Sequence, residues 1–287
     1  MNTTLSAPLL TSELQRAIQR NIEAAIAEDI AGGDLTASLV PADQHAHATL
    51  ISREQAIICG IPWVEACFTR LAPDAKLEWQ ISEGAEVTAG QTLCTITGNA
   101  RQILTAERCA LNFLQTLSAT ATVTARYVQA VQGTKARILD TRKTLPGLRM
   151  AQKYAVTIGG GMNQRMGLYD GILIKENHIA AAGSIAAVMQ AAIKLSSHAS
   201  LQIEVESLEQ LEEALQAGAK LILLDNFDLD GMRKAVALTA GRATLEASGG
   251  VELETVRAIA ETGVDRISIG GLTKHVHAID LSLRFQG

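Results

Sequence analysis

Positively charged side chains are concentrated in one short segment of this chain, residues 137–175. The segment holds seven cations against two acids, Asp140 and Asp170, in a chain whose formal net charge is −5. Those cations are Arg137, Arg142, Lys143, Arg149, Lys153, Arg165 and Lys175. Several of them adjoin short apolar runs typical of buried strands, where a charge is costly unless an opposite charge meets it. The segment therefore predicts a pocket for a small molecule that carries several negative charges.

The residues that follow each apolar run are polar or glycine, and they change in charge along the chain. The early ones are cationic and the later ones acidic. In order they are Thr141, Arg142 and Lys143; Lys175; Glu204 and Glu206; Asp225; Ser248, Gly249 and Gly250; and Gly270 and Gly271. Because parallel α/β folds bind ligands at the carboxyl ends of their strands, these residues predict a ring of site residues. Such a ring would bind an anionic group on one side and hydroxyls or a divalent cation on the other.

Two glycine pairs follow the last two predicted strands. Glycine lets the backbone approach a phosphate, and helix N-termini expected from Leu253 and from Thr273 would offer free N–H groups. The alternative interpretation, that these glycines serve turns needing a positive φ, remains open for each pair alone.

The elements that must position these residues alternate regularly from residue 137 onward. Short Leu-rich or β-branched runs predict six strands, at Arg137–Asp140, Gly171–Ile174, Leu201–Val205, Leu221–Leu224, Ala243–Ala247 and Arg266–Ile269. Helical segments are predicted near Leu148–Thr157, Ser184–Leu195, Ser207–Ala217, Asp228–Ala240 and Leu253–Thr262. This alternation is typical of βαβ units with a parallel sheet. Periodicity alone leaves open whether the six strands form an incomplete barrel or a doubly wound sheet.

The first 136 residues show a different pattern and predict a separate α+β domain. Helices are expected near Ser12–Glu28, Pro62–Leu71 and Ile103–Gln132, and strands near His47–Ile58 and over Lys76–Thr97.

Composition excludes several other classes of protein. No long tract of Arg and Lys is present, which argues against nucleic acid as the main partner. No apolar run approaches the roughly 20 residues that cross a bilayer, and Met1–Leu10 has no signal-peptide pattern. The four cysteines lack CxxC spacing and predict buried, reduced thiols in a cytoplasmic protein.

Several of these motifs together resemble the quinolinate phosphoribosyltransferase family, the decarboxylating nicotinate-nucleotide pyrophosphorylases. The resemblance covers nearly the whole chain and is most specific over Asp140–Arg149. It is carried by Glu107–Ser118, Asp140–Arg149, Lys153–Val156, Gly159–Gly161, Leu173–His178, Leu224–Asn226, Leu245–Gly250 and Gly271–Thr273.

The resemblance implies a reaction, a fold and an assembly. Quinolinate and phosphoribosyl pyrophosphate (PRPP) would give nicotinate mononucleotide, pyrophosphate and CO₂, with Mg²⁺. The fold would be an open α/β barrel of about six strands beside an N-terminal α/β sandwich domain. The sandwich would span residues 1–136, joined by 276–287 with a strand at Asp280–Phe285, and the barrel residues 137–275. The chains would form a homodimer with shared sites.

Roles for individual residues follow from side-chain chemistry and from the resemblance. Arg142, Arg165 and Lys175 are candidates for holding two carboxylates, because the planar guanidinium suits bidentate binding. The alternative for these cations is ordinary salt bridging to nearby acids. By resemblance, Arg108 joins them from the partner subunit and Lys143 contacts PRPP as a catalytic residue together with Lys175.

By the same resemblance, Glu204 and Asp225 face the ribose hydroxyls and Mg²⁺, either directly or through other groups. Glu206 lies two residues beyond Glu204 and could replace it.

One residue departs from the family pattern, and it keeps alternatives open. Gln164 stands where many relatives have His, and an amide cannot become charged. A non-catalytic sensor of a phosphate ligand is therefore one rival, and a Schiff-base enzyme acting through Lys175 is another. A related family linked to molybdenum transport is disfavoured by the intact Asp140–Arg149 and Leu173–His178 motifs.

Overall fold

The computed structural model describes residues 11–195 and 199–286, so the expectation for Met1–Leu10 lies outside the described residues. The chain divides into two compact units. The first unit comprises the chain up to Ala125, then Leu145–Gly160 and the residues from Lys274 onward. The second comprises Arg126–Thr144 and Gly161–Thr273.

Both units contain helices and strands. The helices are α1 (Ser12–Asp29), α2 (Ile61–Leu71), α3 (Ala100–Ala130), α4 (Arg149–Ile158), α5 (Glu176–Ala182), α6 (Ile185–Leu195), α7 (Leu208–Gln216), α8 (Leu229–Thr239), α9 (Val256–Glu261) and α10 (Gly271–Lys274). The strands are β1 (His45–Ser52), β2 (Ala56–Ile57), β3 (Lys76–Trp79), β4 (Glu86–Val87), β5 (Thr92–Asn99), β6 (Arg137–Leu139), β7 (Gly171–Ile174), β8 (Ser200–Val205), β9 (Leu221–Asp225), β10 (Thr244–Ser248), β11 (Arg266–Ser268) and β12 (Leu281–Phe285).

The first unit contains an antiparallel sheet of four strands in the order β12-β1-β5-β3. Its apolar core is built from Leu, Ile, Ala and a few aromatic side chains of the strands and of α1 to α4. The strand predicted at Asp280–Phe285 is confirmed as β12, which pairs with β1. The strand predicted over His47–Ile58 is interrupted, because the Ser52 hydroxyl donates to the Glu54 carbonyl and the chain turns there.

The second unit is an open α/β barrel. Its six parallel strands follow the order β6-β11-β10-β9-β8-β7, so β6 and β7 lie at opposite edges of the sheet. Each predicted strand of this region is present within one or two residues of its expected bounds. The alternative of a doubly wound sheet is therefore excluded, and the carboxyl ends of the strands meet around one opening.

The division into units differs from the predicted domain bounds at three places. Residues 126–136, the end of α3 and the turn after it, belong to the second unit, whereas residues 145–160 and residues 274–275 belong to the first. The reason for the second difference is packing, since Ala151, Tyr154 and Ala155 of α4 are buried in the core of the first unit.

Helix ends follow local capping chemistry. The Ser207 hydroxyl accepts the Gln210 N–H and caps α7, as the sequence predicts. The Gln210 side chain, however, accepts the N–H of Glu206 instead of returning to Ser207. One short helix, α5, was not predicted, since its seven residues are too few for a clear helical repeat.

The four cysteines are buried and carry free thiols, as predicted. Burial raises the pKa of Cys67 and of Cys94 to about 12, and that of Cys109 to about 11, so these thiols stay protonated. Among the described residues, no single helix is long and apolar enough to span a membrane.

Candidate active site

A cavity of about 660 Å³ lies in the second unit at the carboxyl ends of the barrel strands. Ten of the residues predicted for the site line it. They are Thr141, Arg142, Lys143, Arg165, Lys175, Glu204, Asp225, Ser248, Gly249 and Gly250. The cavity therefore brings cationic and acidic strand ends together around one space.

Four of the seven cations of residues 137–175 line this cavity, and the other three do not. Arg137 begins β6, so it lies at the opposite end of the sheet from the cavity. Arg149 and Lys153 lie on α4 of the first unit. None of these three was assigned to the site from the sequence, and the cavity is lined by the other four cations of the segment.

Arg165 is held inside the cavity wall with its charge only partly compensated. Its Nη1 donates to the Gly171 carbonyl at 2.9 Å. Burial lowers the pKa of Arg165, the neighbouring Arg142 lowers it further, and Asp170 opposes both effects. Two guanidinium groups close enough to repel each other favour the binding of an anion between them.

Lys175 and Glu204 form an ion pair across neighbouring strands. The Lys175 ammonium lies 2.9 Å and 3.2 Å from the two Glu204 carboxylate oxygens. Register explains the pair, because Ile174 lies opposite Ile203 and the next residues along both strands are therefore adjacent. The backbone N–H of Lys175 donates to His178 Nδ1 at 3.0 Å, which fixes the turn into α5.

Lys143 is held in a tight turn after β6. Its N–H donates to the Thr141 hydroxyl at 3.0 Å, and its carbonyl accepts from the Thr273 hydroxyl at 2.8 Å. A Cβ on Gly270 would lie 2.9 Å from Lys143 Cδ. A side chain at position 270 would therefore require the Lys143 side chain to shift. Gly271, the next residue, begins α10, two residues before the predicted start at Thr273.

Asp225 lies beside a strained turn that includes the first glycine pair. Asn226, with φ of 56°, donates its side-chain N–H to Asp225 at 3.0 Å. Gly249 has φ of 100°, and a Cβ there would overlap the Asn226 amide oxygen. The helix expected from Leu253 begins only at Val256, so its N-terminus lies further from this pair than predicted.

Glu204 and Glu206 differ in position, although the sequence left the choice between them open. Glu204 is buried and lines the cavity, whereas Glu206 is exposed beyond the end of β8. Arg108 lies in the first unit, exposed on α3.

Three polar residues inside the barrel were given no site role from the sequence: Gln202, Ser268 and Glu246, the last of which lies within the Leu245–Gly250 motif. Gln164 donates its backbone N–H to Asp140 and its side-chain N–H to Gln202 Oε1, both at 2.8 Å. Burial raises the pKa of Glu246, while Ser268 and Gln202 oppose that shift. Strand alternation could have found two of these residues, since Gln202 precedes Glu204 and Glu246 precedes Ser248 by two positions.

The acidic residues of the cavity fit a metal that arrives with a phosphate. Among the described residues, no three His, Cys, Asp or Glu side chains cluster to hold a metal by themselves. Glu204 and Asp225 nevertheless supply hard oxygen donors, and Mg²⁺ usually binds one or two carboxylates together with waters and substrate phosphates.

Comparison with known proteins gives the same family for both units. Residues 34–118 match the N-terminal domain of quinolinate phosphoribosyl transferase, and residues 120–284 match its C-terminal domain. The probable carboxylating nicotinate-nucleotide pyrophosphorylase of Bacillus subtilis is 40% identical over 257 residues, which are 89% of each chain. The Mycobacterium leprae enzyme of that name is 41% identical, covering 93% of this chain and 96% of its own.

A solved structure is similar throughout. The nicotinate-nucleotide pyrophosphorylase of Francisella tularensis is 45% identical with a TM-score of 0.92, covering 94% of this chain and 96% of its own. The chain therefore belongs to the quinolinate phosphoribosyltransferase family.

Proposed function

We propose that this chain transfers the phosphoribosyl group of PRPP to quinolinate and decarboxylates the product, in NAD biosynthesis. The products are nicotinate mononucleotide, pyrophosphate and CO₂. One observation carries the proposal: Arg142, Lys143, Arg165 and Lys175 line a single cavity together with Glu204 and Asp225. The names of the relatives support the same reaction.

Quinolinate is a dianion, and the cationic part of the cavity matches its charge. Arg142 and Arg165 offer planar forks for bidentate contacts with carboxylates, and Lys175 offers a point charge on the neighbouring strand. Burial and, after it, repulsion from Arg142 lower the pKa of Arg165, and a dianion between the two guanidinium groups would relieve that repulsion.

In this proposal, PRPP binds the remaining site residues at the carboxyl ends of the strands. Lys143 contacts the pyrophosphate, and Glu204 and Asp225 bind the ribose hydroxyls. Backbone N–H groups of Ser248, Gly249 and Gly250, and those of Gly270 and Gly271, can approach phosphate closely because glycine leaves room for it.

Catalysis then follows from charge placement without a covalent nucleophile. Departure of pyrophosphate leaves an oxocarbenium-like ribose, and the pyridine nitrogen of quinolinate attacks its anomeric carbon. The positive charge of the resulting pyridinium stabilises the electron pair left on the ring carbon when the adjacent carboxylate departs as CO₂, and a proton from water then adds to that carbon. The four cations hold both reactants in place and stabilise the developing charges.

Mg²⁺ would be held by Asp225, directly or through water, with Glu204 beside it, and would neutralise charge on the pyrophosphate group. The Glu204 carboxylate is already shared with Lys175, which leaves Asp225 as the principal protein donor.

The site is proposed to be completed in a homodimer. Arg108, exposed on α3, would reach the quinolinate carboxylates of the partner's cavity. A second chain would then be needed for full affinity of the site for quinolinate.

Two rival functions give different outcomes in simple assays. A Schiff-base enzyme needs Lys175 as a free amine, and its 2.9 Å contact with Glu204 is that of an ammonium with a carboxylate. Borohydride trapping of a carbonyl substrate on Lys175 would nonetheless favour the Schiff-base enzyme. A sensor would bind PRPP and release no CO₂.

The decisive experiment is to incubate the purified chain with quinolinate, PRPP and Mg²⁺. We expect nicotinate mononucleotide, and one CO₂ for each pyrophosphate. Binding of PRPP without either product would contradict the proposal and support the sensor.

A further inference from the structure

A second cavity, of about 360 Å³, lies in the second unit at the amino ends of the barrel strands. Four residues that line it are each the first residue of a strand: Gly171 of β7, Ser200 of β8, Leu221 of β9 and Arg266 of β11. The cavity therefore lies at the end of the sheet opposite the candidate active site, in a region to which the proposed function assigns no ligand.

The two cavities share part of a wall, but the second also has side chains of its own. Gln164 and Arg165 line both cavities, whereas Gln202 and Arg266 line only the second. The acidic strand ends proposed to bind ribose and Mg²⁺ line only the first. The second cavity therefore has hydrogen-bond donors that the proposed reaction does not use.

Three side chains that line the second cavity carry donors to which the chain supplies no acceptor. The Gln202 side chain is 3% exposed, and neither its Nε2 nor the Nε of Arg165 has a hydrogen-bond partner among the described residues. The half-buried guanidinium of Arg266 makes neither a hydrogen bond nor an ion pair with any residue that the structure describes. Buried donors without acceptors are costly, so three in one wall indicate a bound acceptor.

The charge of the lining favours an anion as that acceptor. The charged residues of the lining are Arg165, Arg266 and one acid, Asp170. Asp170 accepts the backbone N–H groups of Met166 and Gly167, at 2.7 Å and 2.8 Å, so its carboxylate also serves the loop before β7. Water could satisfy the hydrogen bonds of the two guanidinium groups, but it would leave the excess positive charge uncompensated.

Glu246, an acid behind this wall, does not replace the missing anion. Its side chain is fully buried on β10, and within the described residues neither of its carboxylate oxygens has a hydrogen-bond partner. Burial raises the pKa of Glu246, while Ser268, Gln202 and Arg266 oppose that shift. Glu246 does not line the second cavity, so the donors there still need an acceptor.

We propose that the second cavity binds a small oxyanion, of the phosphate or bicarbonate type, between Arg266 and Gln202. An oxyanion suits this wall because a planar guanidinium can donate two parallel N–H groups to two oxygens of one anion. A cavity of about 360 Å³ has room for such an anion together with water. The inference does not rest on the proposed function, since neither Arg266 nor Gln202 takes part in it.

The test is equilibrium dialysis of the full chain in sealed cells against labelled phosphate or labelled bicarbonate, at constant ionic strength. We expect one bound anion per chain whose affinity depends on Arg266. Arg266→Met keeps the length of the side chain without its charge, so it should raise the Kd of that anion at least about tenfold, and Arg266→Lys should raise it less. The two probes, measured separately, distinguish which oxyanion the cavity prefers.

Two controls separate this site from other cations of the second unit. Lys143→Ala removes a cation that lines only the first cavity, so it should leave the Arg266-dependent anion in place. Arg137→Met is the matched control, because Arg137 lies in register with Arg266 on the neighbouring strand but is exposed and lines neither cavity. Its Kd should stay within about twofold of the wild-type value. If Arg266→Met does not fold, Gln202→Leu is measured instead, with the same expected loss.

Equal affinities of the wild type and of Arg266→Met, or of its substitute, for both anions would overturn the inference. So would the loss of all anion binding in Lys143→Ala, since the first cavity would then account for it. A chain that converts quinolinate without an Arg266-dependent anion would leave the proposed function intact. A chain that binds this anion without converting quinolinate would leave the inference intact.

Discussion

The ammonium group of Lys175 pairs with Glu204 and is also proposed to bind a substrate carboxylate. It lies 2.9 Å from Glu204, yet 45% of its side chain is exposed. Glu204 is only 9% exposed, and the desolvation of a buried carboxylate offsets much of what an ion pair contributes to stability, so this pair is a weak reason to keep a lysine at a strand end. An ammonium has three donors, and Glu204 leaves capacity for a substrate carboxylate. The contact with Glu204 therefore orients the ammonium group and leaves part of its hydrogen-bonding capacity available.

We expect Lys175→Ala to lower both activity and stability. Loss of the cation leaves a bound dianion short of one partner, which costs about 3–5 kcal/mol, so kcat/KM for quinolinate should fall at least about 100-fold. The free energy of unfolding should also fall, by more than about 1 kcal/mol, because the buried Glu204 loses the cation paired with it. Steady-state kinetics and denaturant unfolding measure the two effects.

The matched control is Lys135→Ala. Lys135 pairs with Asp265 at 2.7 Å in the same unit, but it precedes β6 and so lies at the amino ends of the strands. Its loss should leave kcat/KM within about twofold. Wild-type kinetics for Lys175→Ala would remove Lys175 from the site.

Gly249 and Gly250 are adjacent, but a methyl group has different consequences at each. At Gly249, with φ of 100°, an added Cβ would overlap the Asn226 amide oxygen, which lies beside Asp225. At Gly250, with φ of 56°, no heavy atom lies within 4 Å of the added Cβ. We expect Gly249→Ala to raise the KM for PRPP at least about tenfold and Gly250→Ala to raise it much less, since only the first displaces Asn226. Equal effects of the two substitutions would contradict this account of the turn.

At the scale of elements, the sequence predicted the barrel strands well because each is short, apolar and bounded by glycine or charge. Runs such as Gly171–Ile174 have one favourable conformation in a parallel sheet, so local pattern suffices. The order of the strands across the sheet could not be predicted from local pattern. β6 lies beside β11, a pairing between residues more than 100 positions apart. The repeat of strands and helices does not encode this pairing, and the family resemblance implied an open barrel without giving the order of its strands.

The assignment of α4 to the wrong domain and the unpredicted contact between Lys175 and Glu204 have the same physical origin. The apolar pattern of α4 predicts that one face is buried, but not which core receives Ala151 and Tyr154. The pair of Lys175 and Glu204 likewise depends on the register between β7 and β8. The four cations of the cavity could be predicted because a charge at the end of an apolar run is costly wherever the run packs.

A local prediction at this scale concerns the start of α7. The Ser207 hydroxyl accepts the Gln210 N–H, one of the backbone donors that the first helical turn leaves unpaired. We expect Ser207→Ala to lower the free energy of unfolding of the second unit by about 1 kcal/mol, and Ser207→Thr to lower it less. Denaturant unfolding measures both. Identical curves for the wild type and Ser207→Ala would show that the cap contributes nothing.

At the scale of the whole molecule, Arg108 raises the question of assembly. It is an exposed arginine on a long helix, and burial raises the pKa of the preceding Glu107 while Arg108 opposes that shift. If Arg108 acts in the partner's cavity, the Arg108 of one chain and the Lys143 of another belong to the same site. The activity of a dimer then depends on which chains are paired, as well as on which residues each chain carries.

The proposed sharing predicts rescue between two inactive chains. Arg108→Ala and Lys143→Ala should each be inactive as homodimers. In a heterodimer, one site has lost both residues and the other has lost neither, so a random mixture should recover about a quarter of wild-type activity, and an isolated heterodimer about half. Mixing Arg142→Ala with Lys143→Ala is the control: both residues line the same chain's cavity, so every heterodimeric site lacks one of them and no activity should return. Isolated heterodimers of the first pair that remain inactive would place Arg108 outside a shared site, since each would still contain one complete set of the proposed residues.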